Sequence, residues 1–85
     1  MNKIEIYTKD ECIFCDRAKE FFKSKNLLFS EYNVWINPNY LDEMLKRSKG
    51  QRTMPQIFIN NKHIGGFNDL KILIDKGIFE TMIDS

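Results

Sequence analysis

Two cysteines separated by two residues, Cys12-Ile13-Phe14-Cys15, stand where one sequence periodicity gives way to another. Before them, Lys3 to Thr8 sets Ile4 and Ile6 against Glu5 and Tyr7, the period of two of a β-strand. After them, Phe14, Ala18, Phe21 and Phe22 share one helical face between positions 14 and 25, with Asp16, Lys19, Glu20 and Lys23 outside it. A strand that passes through Cys-x-x-Cys into an amphipathic helix narrows the fold to those built on a strand–helix–strand unit.

The rest of the chain completes that unit and extends it. Asn26 is suited to end the helix in a left-handed conformation, and Leu27 to Val34, rich in aromatic and aliphatic residues, predicts a second strand. Asn37-Pro38 reads as a cap with proline at the first helical position, and Leu41, Met44 and Leu45 mark a second helix running to Gly50. Gln56 to Ile59 predicts a third strand, Asn60-Asn61 a turn tolerant of positive φ, and His63-Ile64 the stub of a fourth. Beyond Gly65-Gly66, Leu70, Ile72, Leu73 and Ile74 predict a third helix, and Gly77 separates it from a last turn around Phe79, Met82 and Ile83. The order is βαβαββα. The strands of a βαβ unit lie parallel with a right-handed crossover, whereas a hairpin is antiparallel. The expected fold is therefore α/β, a mixed four-stranded sheet flanked by helices on both faces, in the thioredoxin-like layout.

Composition bounds what such a chain can do. With 85 residues, one small domain spans positions 1–85. Thirteen basic against 12 acidic side chains leave a net charge of +1, which argues against nucleic acid or anionic lipid as a partner. No run approaches the ~20 apolar residues of a membrane span. Charges interrupt Met1-Asn2-Lys3-Ile4-Glu5 too early for the apolar region of a signal peptide. Two cysteines do not make a secreted disulfide scaffold, so a reducing cytoplasmic setting and a chemical role for the cysteines are expected.

One helical turn apart, the two sulfurs can reach the ~3.8 Å Cβ separation of a disulfide. Cys12 falls at the helix N-terminus, where free backbone N–H groups and the positive end of the dipole stabilise a thiolate, and Lys9 adds positive charge nearby. Cys12 is thus the expected nucleophile. Cys15, more shielded, keeps its proton until it attacks the mixed disulfide at Cys12, which makes it the resolving thiol. A structural zinc would want four ligands, and beyond the two sulfurs only His63 is an obvious candidate, so no metal site is expected.

At these residues the chain resembles the glutaredoxins, particularly the short dithiol glutaredoxins of bacteria. The resemblance spans nearly the whole chain and rests on four markers in order: Tyr7-Thr8-Lys9, Cys-x-x-Cys, Thr53-Met54-Pro55 before a strand, and Gly65-Gly66 with Asp69 before the last helices. It implies a glutathione-dependent oxidoreductase that reduces disulfides and protein–glutathione mixed disulfides. Glutathione would be cosubstrate rather than a bound cofactor, disulfide-containing or glutathionylated proteins the partners, and the monomer the working form. The same resemblance suggests a cis Met54-Pro55 bond that leaves the backbone of Met54 free to pair with a peptide-like ligand. It seats the γ-glutamyl end of glutathione on the backbone N–H groups of Phe67, Asn68 and Asp69, where Gly65-Gly66 permits close approach. Asp69 would bind the ligand's α-ammonium, and Lys9 and Arg52 its glycine carboxylate. The implied glutathione site is therefore Lys9, Phe14, Arg52, Thr53, Met54, Pro55, Gly66, Phe67, Asn68 and Asp69.

The chain departs from that family between its cysteines, where Ile13 and Phe14 stand in place of the usual Pro and Tyr. Phe14 keeps an aromatic wall without the hydroxyl, and Ile13 removes the preset φ of proline, which alters the balance of dithiol and disulfide. Family members that hold a [2Fe–2S] cluster between two subunits, with two glutathiones as extra ligands, often lack that proline. A cluster-binding dimer acting as carrier or sensor is accordingly the alternative. A thioredoxin is disfavoured, since Glu11, Ile13 and Phe14 stand where thioredoxins carry Trp before the first cysteine and Gly-Pro within the pair.

Other conspicuous residues have plainer readings. Lys46, Arg47, Lys49 and Arg52 end a helix, where cations suit the dipole, and most of that segment is expected to be a solvated face. His63, beside a turn, reads as structural, and Phe21, Phe22, Phe29 and Phe58 as core. Trp35, in Val34-Trp35-Ile36, either covers a sheet edge or meets a partner.

Overall fold

In the computed structural model, which describes residues 2–83, strand β1 (Ile4–Thr8) is buried along its whole length. It is followed by α1 (Ile13–Ser24), β2 (Ser30–Asn33), α2 (Asn39–Arg47), β3 (Gln56–Ile59), β4 (Lys62–Gly65), α3 (Phe67–Asp75) and α4 (Ile78–Ile83). The sheet order is β2-β1-β3-β4, with β1 parallel to β2 and antiparallel to β3, and β3 antiparallel to β4. This is the expected mixed sheet. None of the described helices is long and apolar enough to cross a membrane.

Alternation along the strands sorts their side chains into two cores. Ile4 and Ile6 of β1 and Ile57 and Ile59 of β3 pack with Ala18 and Phe22 of α1, Leu70 of α3 and Phe79 of α4. From the opposite face, Tyr7 and Phe58 pack with Met44 of α2, joined by Tyr32, Tyr40, Leu41, Leu45 and Met54. Glu5 also points into this second layer and is only 5% exposed. Arg47, at the end of α2, meets it as a fork, Nη2 donating to Oε1 at 2.9 Å and Nη1 to Oε2 at 3.2 Å. The same guanidinium lies 4.0 Å from the centroid of the Phe58 ring. Burial pushes the Glu5 carboxyl up, but Arg47, the Tyr32 hydroxyl and Lys3 outweigh it and hold the group below its usual value. Arg47 is therefore not part of a fully solvated basic face, because covering the Glu5 face of β1 required a cation, which is half-buried there.

Turn chemistry follows the residues suited to it. Asn26, Asn60 and Asn61 take positive φ values of 57°, 51° and 67°. Asn37 Oδ1 accepts the N–H of Asn39 at 3.0 Å, and Pro38 already has helical angles. The second strand is shorter than the run Leu27 to Val34 suggests. The N–H of Leu27 donates to Phe22 O at 3.0 Å, closing α1, while Leu27 and Phe29 pack on the first core outside any strand. At the far end, Asn33 Oδ1 accepts the N–H of Trp35 at 2.9 Å and of Ile36 at 3.3 Å, which turns the chain away from the sheet. Trp35 sits on this turn, beyond the end of β2, and is 55% exposed.

Candidate active site

Cys12 is the N-cap of α1, with extended backbone angles and a side chain that accepts the N–H of Cys15 at 3.2 Å. Glu11, just before it, has φ 55°, so the chain turns sharply as it leaves β1. The Cα atoms of Cys12 and Cys15 are 5.2 Å apart and their sulfurs form a disulfide. Their surroundings differ. Cys15 is fully buried, whereas Cys12 keeps 9% of its surface open and its Sγ lies 3.7 Å from the carbonyl oxygen of Met54. An incoming nucleophile or substrate therefore reaches Cys12 first. When the bond is reduced, the Cys15 N–H already aimed at Cys12 Sγ, with the free N–H groups of the first turn, favours the thiolate there.

Beside this pair lies a cleft of about 280 Å³, lined by Phe14, Gln51, Thr53, Met54, Pro55, Gly66, Phe67, Asn68 and Asp69. One wall is the segment between α2 and β3, which contains the cis Met54-Pro55 bond. The other wall is the start of α3. Phe14 and Phe67 bridge the walls at the cysteine end, their rings stacked with centroids 5.8 Å apart. Seven of these residues, together with Phe14, are ones the sequence singled out for ligand binding. Lys9 and Arg52 are exposed and are not part of the cleft wall. Gln51 lines the cleft and was not anticipated, because a polar residue in an irregular segment carries no periodicity and no motif.

Gly65 and Asp69 set the geometry of the second wall. Gly65 has φ +117°, and a Cβ there would collide with the Asp69 carboxylate, whose Oδ2 accepts the N–H of Gly66 at 2.9 Å. Gly65→Ala is expected to destabilise the protein by about 2–3 kcal/mol through backbone strain and loss of that cap. A urea midpoint equal to that of wild type would show that Asp69 is not held as described.

The sequence profile of the glutaredoxin family matches residues 4–64. Glutaredoxin 3 of Escherichia coli K12 is 43% identical over 83 residues, covering 98% of this chain and 99% of the relative. Among solved structures, glutaredoxin 1 of Francisella tularensis complexed with cacodylate superposes with a TM-score of 0.74 at 38% identity, covering 89% of this chain and 95% of that one. The buckwheat glutaredoxin–glutathione complex superposes with a TM-score of 0.85 at 25% identity, covering 95% of this chain and 76% of that one.

Proposed function

The chain belongs to the glutaredoxin family and is a thiol–disulfide oxidoreductase with a redox-active Cys12–Cys15 pair, and from that premise we propose that glutathione is its reductant and occupies the cleft beside Cys12. The observation that carries the proposal is the position of that cleft: irregular backbone on one wall, helix N–H groups on the other, and the more open sulfur beside it, 3.7 Å from the carbonyl of the wall residue Met54. Occupation of a relative by glutathione, in the buckwheat complex, supports the same assignment.

In the proposed cycle the Cys12 thiolate attacks the glutathione sulfur of a mixed disulfide. The protein–glutathione bond breaks, the substrate sulfur leaves as a thiolate and takes up a proton, and Cys12 is left bonded to glutathione. A second glutathione thiolate then attacks the glutathione sulfur, releasing glutathione disulfide and the Cys12 thiolate. With a protein disulfide, Cys12 first bonds to one substrate sulfur. Cys15 then loses its proton and attacks Cys12 Sγ, freeing the reduced substrate and closing the Cys12–Cys15 bond, which two glutathiones reopen.

Thr53, Met54 and Pro55 would meet the ligand's peptide backbone, and Phe14 its cysteine-side apolar surface. The N–H groups of Phe67, Asn68 and Asp69, at the start of a nine-residue helix, would hold the γ-glutamyl carboxylate, with Gly66 giving close approach and Asp69 binding the α-ammonium. Lys9 and Arg52 are long, exposed cations attached next to Thr8 and Thr53, and they would meet the glycine carboxylate once it is present. No step needs a second copy of the chain, so the working form is a monomer. The chemistry suits the cytoplasm, where disulfide-containing or glutathionylated proteins would be the substrates.

Steady-state reduction of a small glutathione mixed disulfide by glutathione, coupled to NADPH through glutathione reductase, tests the proposal. Saturable turnover by the reduced wild-type protein is expected. A folded protein that reduces an artificial dithiol substrate but shows no glutathione-dependent rate would overturn glutathione as the reductant.

A further inference from the structure

Gln56 is fully buried at the start of β3, and its side-chain amide points away from the strand ladder into the irregular segment that forms the first cleft wall. Its Nε2 faces three oxygens, the Thr53 carbonyl at 2.9 Å, the Thr53 hydroxyl at 3.2 Å and Gln51 Oε1 at 3.3 Å. On the other side its Oε1 is 2.7 Å from His63 Nε2. The Thr53 carbonyl can only accept, so the amide nitrogen must face it and the amide oxygen must face His63. An amide oxygen also only accepts, so His63 Nε2 carries the hydrogen and donates. The imidazole is held in this pose by stacking on Phe58, with centroids 4.9 Å apart and planes 30° from parallel.

Residues 51–55 lie in neither helix nor strand, so no ladder holds their backbone. At the α2 end, Ser48 Oγ accepts the N–H of Gln51 at 3.1 Å and donates to its carbonyl at 3.2 Å. At the β3 end, the anchor is Gln56. We propose that His63 and Gln56 form a positioning pair that pre-arranges Gln51 and Thr53 for ligand binding, His63 acting through Gln56, and so sets the affinity of the cleft without taking part in the chemistry at Cys12. A wall ordered before binding does not have to be ordered by the ligand, and that ordering is a cost subtracted from affinity. Cys12 caps α1, which neither residue of the pair contacts through a hydrogen bond; its Sγ accepts the N–H of Cys15 at 3.2 Å and meets this wall at the Met54 carbonyl, at 3.7 Å, so the pair acts first on the ligand-facing side of the wall.

That the ligand is glutathione rests on the reading of the cleft given above, and the test separates the two. Q56M removes both ends of the amide, H63F keeps the ring stack but loses the donor, and H63Q restores an N–H at similar reach. In turnover of a glutathione mixed disulfide, Q56M and H63F should each raise KM by about five- to thirty-fold, the effect of losing buried hydrogen bonds, with kcat changed far less. H63Q should recover most of the loss, and Q56M/H63F should be no worse than Q56M alone. In the unliganded protein, amide hydrogen exchange at Thr53 and Met54 should accelerate in Q56M and H63F while that of Phe22 in α1 stays unchanged. Nitrogen shifts of His63 in wild type should report a protonated Nε2.

A His63 that carries its proton only on Nδ1, an H63F protein with wild-type exchange at residues 53 and 54, or a double variant whose loss is the product of the single ones would overturn the pair. Exchange that accelerates equally in α1 would also overturn it, reducing its role to general stability. Should wild type show no glutathione turnover, the glutathione reading fails, and the exchange and tautomer measurements still decide the positioning pair.

Discussion

Replacing Cys12 by serine is expected to lower turnover of a glutathione mixed disulfide by more than about a hundred-fold, to the uncatalysed background, while Cys15→Ser retains turnover of the same order as wild type. The asymmetry follows from the two environments. Cys12 Sγ accepts a backbone N–H at 3.2 Å at the open end of α1, and it lies 3.7 Å from the carbonyl of Met54, which lines the cleft. A serine hydroxyl in that place stays protonated at neutral pH and is a poor nucleophile towards sulfur, so no mixed disulfide forms. Cys15 is fully buried and enters only when the bond at Cys12 must be resolved from within. With a protein disulfide as substrate, Cys15→Ser should instead trap the substrate on Cys12, visible as a covalent complex in mass spectrometry. Equal losses from the two serine variants on the small mixed disulfide would contradict the division of labour. Activity surviving in Cys12→Ser would contradict the nucleophile itself.

The second large effect concerns stability rather than turnover. Arg47→Met is expected to destabilise the fold by about 2–3 kcal/mol at neutral pH, because it leaves the Glu5 carboxylate in the second core without its cation. The value is placed below that for a fully enclosed pair because the Arg47 side chain is 28% exposed, against 6% for Glu5. Acid should close the gap between the two proteins. In wild type the folded-state value of Glu5 lies below its ordinary 4.5, so its contribution is present above that pH and is lost as pH falls through the folded value. In Arg47→Met the largest influence opposing burial is lost and only the Tyr32 hydroxyl and Lys3 still favour the charge, so the carboxyl protonates more readily and the variant sheds its poorly compensated charge first. Urea denaturation at pH 7 and at about pH 3.5 measures this, with the difference between the proteins expected to shrink at the lower pH. A difference independent of pH would mean that Arg47 stabilises by its stack on Phe58 rather than by its charge.

Glu5 and Arg47 also mark where sequence patterning stops being informative. The alternation of Ile4 and Ile6 with Glu5 and Tyr7 announces a strand, and both faces of that strand turn out to be covered. A charge at position 5 and a cation 42 residues later are unremarkable in a one-dimensional reading. Only the packing of α2 across the sheet makes one the partner of the other. Trp35 is a similar case, since its exposure is decided by the side chain of Asn33 capping the turn, not by the apolar character of its neighbours.

What the sequence determined by itself is whatever depends on local chemistry. Strand and helix periods, asparagines at positive φ, the Cys-x-x-Cys at a helix start and the order βαβαββα are each written within a few adjacent residues, although the last turn read around Phe79 is a separate helix, α4. Most of the cleft wall was anticipated only through the family resemblance, which Thr53-Met54-Pro55 and Gly66 to Asp69 carry as short contiguous motifs. What only the tertiary structure decided is the relation between residues distant along the chain. The fork of Arg47 on Glu5, the place of Gln51 in the cleft and the chain of hydrogen bonds from His63 through Gln56 to Thr53 are all of this kind. Their physical basis is a buried polar group that must find a partner wherever the fold brings one, and periodicity carries no record of which partner that will be.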